Sequence, residues 1–182
     1  ELYGLAYRGD FDLKSHMKAS GESLEYTDPQ TNEKITPHVI EPSFGLDRSV
    51  LVTLLEAYTE DIANERTYLK LPYWTAPYKV AVFPLLANKP ALVEKARSVY
   101  QLLSTNYQLL PIAWDDRGNV GKRYYAQDEI GTPFCITVDF DTLGENGEEN
   151  KDTVTVRDRD TMQQERVKIG DLAEYLSKKL SK

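Results

Sequence analysis

The sequence holds 182 residues, 41% of them hydrophobic, which is enough for one large domain or for one small domain and part of another. No apolar run approaches the roughly 20 residues that cross a bilayer, and Cys135, the single cysteine, excludes an intramolecular disulfide and a cysteine zinc site. Net charge is −7 and uneven: residues 1–76 carry 7 basic and 13 acidic side chains and residues 77–182 carry 15 and 16, so the global basic field of a non-specific nucleic-acid binder is excluded and any RNA must be held by a local patch.

In chain order, ELYGLAYRGD has neither a basic start nor an apolar core, so no signal peptide is expected, and a cytoplasmic location fits the lone thiol. The chain lacks an initiator Met and opens inside an alternating pattern, so a piece of a longer polypeptide is expected. Residues 1–8 alternate as a strand, and Asp10–His16 reads as a turn into a short helix. SGESLEYTDPQTNEKITP is polar and turns at Asp28–Pro29, as a hairpin loop would. HVIEP is a short strand expected to stop at Pro42. From Leu46 the apolar residues Val50, Leu51, Leu54, Leu55 and Tyr58 recur at helical spacing, and the helix is expected to reach Glu65. TYLKLPYWTAP, bounded by prolines, is expected to be a linker over residues 68–76, dividing an N-terminal part (1–67) from a second domain (77–182).

A new rhythm follows. YKVAVFPLL is a continuous apolar strand, as expected of one covered on both faces. KPALVEKARSVYQLLSTN is an amphipathic helix, YQLLPIAWD a second strand, and RGNVGKRYYAQDEIG a turn into a short helix. PFCITVDFD is a third strand, DTVTVRDRD with TMQQERVKI a hairpin, and GDLAEYLSKKL a closing helix with lysines in its last turn. Strands alternating with helices imply an α/β domain built on a mixed sheet of roughly five strands with helices on its faces.

The corner HVIEPSFGLDR sets a carboxylate, a hydroxyl and a guanidinium within eight residues of a helix start. In the plain reading Ser43 is a helix cap, Gly45 a turn residue, Glu41 a solvated strand end and Arg48 a surface residue. Yet a cation is disfavoured at the positive end of a helix dipole. Arg48 makes more sense where a phosphate joins it, accepting from the guanidinium and the free backbone N–H groups together.

IEPSFGLDRSVLVTLLEAY resembles motif 3 of class II aminoacyl-tRNA synthetases, and HVIEPSFGLDR is similar to its form in the dimeric, archaeal/eukaryotic-like glycyl-tRNA synthetases. ELYGLAYRGDFDL is similar to the strand and turn that precede motif 3 there. GKRYYAQDEIGTPFCITVDFDT and VTVRDRDTMQQERV are similar to that family's C-terminal anticodon-binding domain. The resemblance implies that residues 1–67 are the end of the class II antiparallel catalytic core and residues 77–182 the anticodon-binding domain. It implies that Arg48 contacts the ATP phosphates as the catalytic residue, that Glu41 and Ser43 line the glycine pocket, and that Glu1 lies near the ATP–metal site. Arg8 and Asp12 match motif positions without an assigned role. The implied ligands of the intact enzyme are glycine, ATP with Mg2+ and tRNA-Gly, in a homodimer, with no membrane or DNA partner and no protein-bound metal site. Motifs 1 and 2 are not found, so half of the ATP site is missing and the chain alone is expected to form no adenylate.

Unpaired RNA bases are held by stacking and by hydrogen bonds to their edges. The resemblance places Arg123, Tyr124, Arg157, Asp158 and Arg159 as anticodon-binding residues. The alternative is that the Arg-Asp alternation is a salt-bridge ladder, that one of Tyr124 and Tyr125 packs in the core, and that Trp114 is a lid over a strand end. Cys135 is expected to be buried and inert, and neither His16 nor His38 is expected to do acid–base or metal work. Two rivals stand beside a ligase fragment: a synthetase-derived RNA-binding module without catalysis, and a flavodoxin-like small-ligand domain. The latter needs a glycine phosphate loop after YKVAVFPLL, where the sequence has ANKPA.

Overall fold

Two units, Glu1–Val52 and Thr53–Lys182, divide the chain in the computed structural model, which describes residues 1–106 and 111–181. The first begins with β1 (Tyr3–Gly9), α1 (Phe11–Ser20), the short strands β2 (Tyr26–Thr27) and β3 (Lys34–Ile35), and β4 (Val39–Phe44). Gly21 ends α1 in the left-handed conformation, its N–H on the Met17 carbonyl. Asp28 builds the β2–β3 turn by accepting from the Gln30 and Thr31 amides. β1 and β4 form an antiparallel ribbon in which Tyr3, Leu5 and Tyr7 face Phe44, Pro42 and Ile40. Strand alternation puts these six residues on one face and Gly4, Ala6, Glu41 and Ser43 on the other. β4 runs past Pro42 instead of stopping there. Among the described residues the ribbon has only two strands, so a proline edge without a donor is tolerated.

The helix α2 (Leu46–Ala57) ends eight residues before the expected Glu65. β5 (Tyr58–Asp61) and β6 (Arg66–Leu69) instead form an antiparallel hairpin. Asp61 explains the stop: its carboxylate accepts from the Asn64 amide and the Arg66 Nε, closing the connecting turn. Aromatic and β-branched residues then pair across it, Thr59 opposite Tyr68 and Glu60 opposite Thr67. The segment expected as a linker carries buried Tyr68, Leu71 and Ala76. Gly131, at φ +80°, lies so close beneath Leu71 that an added Cβ would sit 2.7 Å from its Cδ1.

The second unit continues with β7 (Val80–Pro84), α3 (Pro90–Asn106), β8 (Ile112–Trp114), α4 (Val120–Glu129), β9 (Phe134–Val138), α5 (Phe140–Leu143), β10 (Thr153–Asp158), β11 (Gln164–Lys168) and α6 (Leu172–Leu180). The sheet order is β11-β10-β9-β7-β8, with β7 parallel to β8 and β9, and β10 antiparallel to β9 and β11. This is the mixed five-stranded sheet expected from the sequence. Of the expected strand YQLLPIAWD, residues 107–110 lie outside the described residues. Val80 and Val82 face a core with Leu92, Ala96, Val99 and Leu103 of α3 and Leu172 and Leu176 of α6. Ala81 and Phe83 face the opposite side, where Val120 and Tyr124 of α4 cover them. Burial on both faces is why β7 is apolar at every position. Cys135 lies in the centre, and burial pushes its thiol up, away from the reactive thiolate.

Candidate nucleotide corner and nucleic-acid interface

In the first unit the ribbon and the start of α2 frame an open cleft of about 660 Å³, lined in part by Glu1, Gly4, Ser43, Gly45, Asp47 and Arg48. The Gly45 N–H donates to the Leu2 carbonyl at 3.0 Å, and an added Cβ would meet that oxygen at 3.3 Å. A residue without a side chain lets the turn press against β1. Arg48 bends back and donates to the Glu1 carbonyl, while the Glu1 carboxylate lies over Gly4. Glu1, Ser43 and Arg48 are thus brought together. Glu41 is on the same ribbon face two residues before Ser43, outside the cleft lining, with its carboxylate 3.5 Å from Arg8. Arg8 also holds Asp12 at 2.5 and 3.0 Å, and this hydrogen-bonded contact keeps the Asp12 carboxyl below its ordinary range. The Tyr7 hydroxyl is hydrogen-bonded to His38 Nδ1. The cleft therefore offers one exposed guanidinium, first-turn amides and flanking carboxylates, a set able to hold an anionic group beside a cationic one.

In the second unit the guanidiniums expected at the RNA interface lie inside. Arg123, Arg157 and Arg159 are 1%, 4% and 2% exposed. Arg123 donates to the carbonyls of Pro84, Asp116, Arg117 and Gly118, tying the loop before α4 to the end of β7. Arg157 makes a bidentate pair with Asp128, 2.9 Å for each bond, with its guanidinium 4.9 Å from the Tyr124 ring centre. Arg159 donates to the carbonyls of Gly131 and Leu71 and to the Asp160 carboxylate. Tyr124 packs on Phe83 and hydrogen-bonds Thr137 at 2.6 Å, whereas Tyr125 is exposed. Asp158 is half-buried and accepts from the Thr161 amide and hydroxyl, closing the turn after β10. Direct contact of any of these three arginines with a base requires breaking internal bonds.

Two members of this network carried no signal in the sequence. Arg66 of β6 donates to the Asp128 carboxylate at 2.9 Å and to the Arg159 carbonyl at 2.7 Å, reaching across 62 and 93 residues. Asp128 is fully buried. Arg157 lies on β10 between β9 and β11, and a charge flanked by two neighbouring strands must find a partner. Trp114 is stacked under the Arg97 guanidinium at 3.6 Å and donates to Asp116, in keeping with a lid.

A separate polar knot sits where β9 ends. Asp139 caps α5 and receives Arg166, which also pairs Asp141. Partial burial works to raise the Asp139 carboxyl, but hydrogen bonds from Arg166 and Thr142 outweigh it and hold it below the ordinary carboxylate range. A depressed carboxylate stabilises the fold above its unfolded value and loses that contribution as pH falls through the folded one. Arg166→Gln is therefore expected to cost about 0.5–1 kcal/mol at pH 7 after solvent screening. The difference from the unaltered chain should vanish well below pH 3.8, as urea unfolding across pH would register.

Residues 79–179 match the family model described as "Anticodon binding domain". The chain is similar to proteins named "Glycine--tRNA ligase". It is 47% identical over 183 residues to that of Clostridium tetani (99% of this chain, 37% of the relative). It is 49% identical over 187 residues to that of Streptomyces coelicolor (99% and 38%) and 52% over 182 to that of Ruminiclostridium cellulolyticum (98% and 37%). The chain thus spans well under half the length of these relatives.

Proposed function

The chain belongs to the anticodon-binding-domain family, and on that premise we propose that it is the C-terminal part of a glycine–tRNA ligase, an enzyme that joins glycine to tRNA-Gly through a glycyl-adenylate. The observation that carries the reading is the pairing, in one chain, of the matched domain over residues 79–179 with a corner that brings Arg48, Ser43 and Glu1 into one cleft. In this reading Glu1–Val52 and the rest of α2 complete a catalytic core, while the β5–β6 hairpin and residues 68–76, where Tyr68, Leu71 and Ala76 are buried, go with the anticodon-binding residues 77–182. Arg48 draws charge from the ATP phosphates as pyrophosphate leaves. Glu41 accepts from the glycine ammonium and Ser43 lines the pocket, where any side chain larger than hydrogen is rejected by contact.

Among the described residues no group of three His, Cys, Asp or Glu side chains is placed to hold a metal. For Mg2+ the Glu1 carboxylate in the cleft is the candidate ligand from this chain, and the ATP phosphates supply the charge that attracts the ion. The apolar ribbon face of Tyr3, Leu5, Tyr7, Ile40, Pro42 and Phe44, exposed throughout, supports a larger polypeptide that covers it. The homodimer and a cytoplasmic location belong to the same proposal; no helix among the described residues is long and apolar enough to cross a membrane. Arg123, Arg157 and Arg159 serve RNA binding through the loops they hold, with Asp158 and Tyr124 nearer the surface.

The test is a titration of this chain with an anticodon stem-loop whose cytosines are replaced one at a time. Position-dependent loss of affinity is expected, and uniform weak binding would remove base reading by Asp158 and by the loops that Arg123, Arg157 and Arg159 hold. Glycine-dependent exchange of labelled pyrophosphate into ATP should be absent from this chain, since half of the ATP site is missing.

A further inference from the structure

Resting on the RNA-binding reading above, we propose that Arg66, outside the matched domain at residues 79–179, is a positioning residue for the turn Asp158–Gln163, and that the β5–β6 hairpin is thereby a working part of the RNA-binding unit. The turn is closed on itself by the Asp158 carboxylate, which accepts from the Thr161 amide and hydroxyl, and by backbone bonds. The Met162 amide bonds the Asp158 carbonyl at 2.9 Å, the Asp158 amide bonds the Gln163 carbonyl at 3.0 Å, and Met162 has φ +60°, an unfavourable value for a branched-chain-free but bulky residue. The Arg159 amide ties the turn to the Pro133 carbonyl, next to β9, at 2.9 Å, and guanidiniums beneath the turn add the remaining holds on its backbone. Arg66 donates to the Arg159 carbonyl at 2.7 Å and reaches the Asp160 carbonyl at 3.4 Å, so it grips the backbone of the turn itself. The same side chain is anchored on Asp128 and Asp61, at 2.9 and 3.0 Å, and lies 4.3 Å from the Tyr68 ring centre. Asp128 in turn carries Arg157, the last paired residue of β10 before Asp158 on the β11 side. One buried group thus links the hairpin, α4 and the backbone that follows Asp158, and through Asp128 the side chain of Arg157 that precedes it.

Lysine cannot replace it. A single ammonium on a flexible stem does not span Asp61, Asp128 and a backbone carbonyl in one plane, as the guanidinium fork does. The experiment compares Arg66→Ala, Arg66→Lys and the milder Asp61→Asn with Val99→Ala, a core change in α3 remote from the turn in sequence, at temperatures chosen for equal distance below each Tm. Two quantities are measured: amide hydrogen exchange at Asp158, Arg159 and Met162, and affinity for the anticodon stem-loop. The Arg66 variants should speed exchange in the turn and weaken binding by about tenfold, Asp61→Asn less, and Val99→Ala neither. Should Arg66→Ala fail to fold, Arg66→Lys and Asp61→Asn decide. Unchanged turn exchange in Arg66→Lys, or the same changes in Val99→Ala, overturns the proposal. If the unaltered chain does not bind the stem-loop, the RNA role falls with the functional reading, while the exchange result still decides whether Arg66 holds the turn.

Discussion

Asp128→Ala is expected to destabilise the chain by about 3–5 kcal/mol, because it strands two buried cations at once. Asp128 is fully buried, and its two carboxylate oxygens receive one bond from Arg66 and two from Arg157. Taking a guanidinium out of water costs several kcal/mol, and the facing carboxylate offsets that cost only while it is present. Arg66 keeps Asp61 after the substitution; Arg157 keeps only the face of Tyr124. The loss should appear as a fall of about 6–20 °C in Tm, read by circular dichroism together with a urea titration. Asp128→Asn should be nearly as damaging, since it preserves shape but removes charge and turns an amide N–H2 toward the guanidiniums. The sharper check is the double variant Asp128→Ala with Arg157→Met. Removing the stranded cation along with its partner should recover part of the loss, so the two changes are non-additive. If Asp128→Ala costs less than about 1 kcal/mol, the buried ion cluster is not what holds α4 to β10.

The sequence made the apolar skeleton legible and left its polar fastenings invisible. β7 is an uninterrupted apolar run, and burial on both faces is the physical reason, so strand and environment followed together; its parallel pairing with β9 came from the structure. Leu92, Ala96, Val99 and Leu103 repeat at helical spacing, and they form the buried stripe of α3. The hairpin at 58–69 was not legible, because the apolar spacing of α2 ran into Tyr58 and nothing at that point breaks a helix. What ended it was the Asp61 turn and pairing to Thr67 and Tyr68, contacts the helical pattern does not encode. In the corner, the sequence named Arg48, Ser43 and Glu1, and these meet in one cleft. In the second unit it named Arg123, Arg157 and Arg159 but not their depth. A charged residue is ordinarily outside, and these three are buried because each meets partners there: Asp128 for Arg157, the Gly131 and Leu71 carbonyls with Asp160 for Arg159, and four converging carbonyls for Arg123.

Arg48→Ala should separate function from stability more widely than any other single change. Arg48 is exposed, and among the described residues its guanidinium donates to the Glu1 carbonyl. It opens α2, where the helix dipole is positive and a cation is unfavourable. Losing it should therefore change the stability of this chain by no more than about 0.5 kcal/mol in either direction. In the full-length glycine–tRNA ligase proposed above, the same substitution is expected to lower glycine-dependent ATP–pyrophosphate exchange by about 10²–10³-fold, the usual effect of deleting one donor to charge that develops in the transition state. Arg48→Lys should recover only part of this, since an ammonium restores charge without the two parallel donors that fit a phosphate. A residue kept in an electrostatically poor place, harmless to remove from the fold and costly to remove from the reaction, is best explained by a ligand that completes its surroundings. Exchange undiminished in Arg48→Ala would mean that the guanidinium meets no phosphate, and the corner would then be an ordinary strand-to-helix turn.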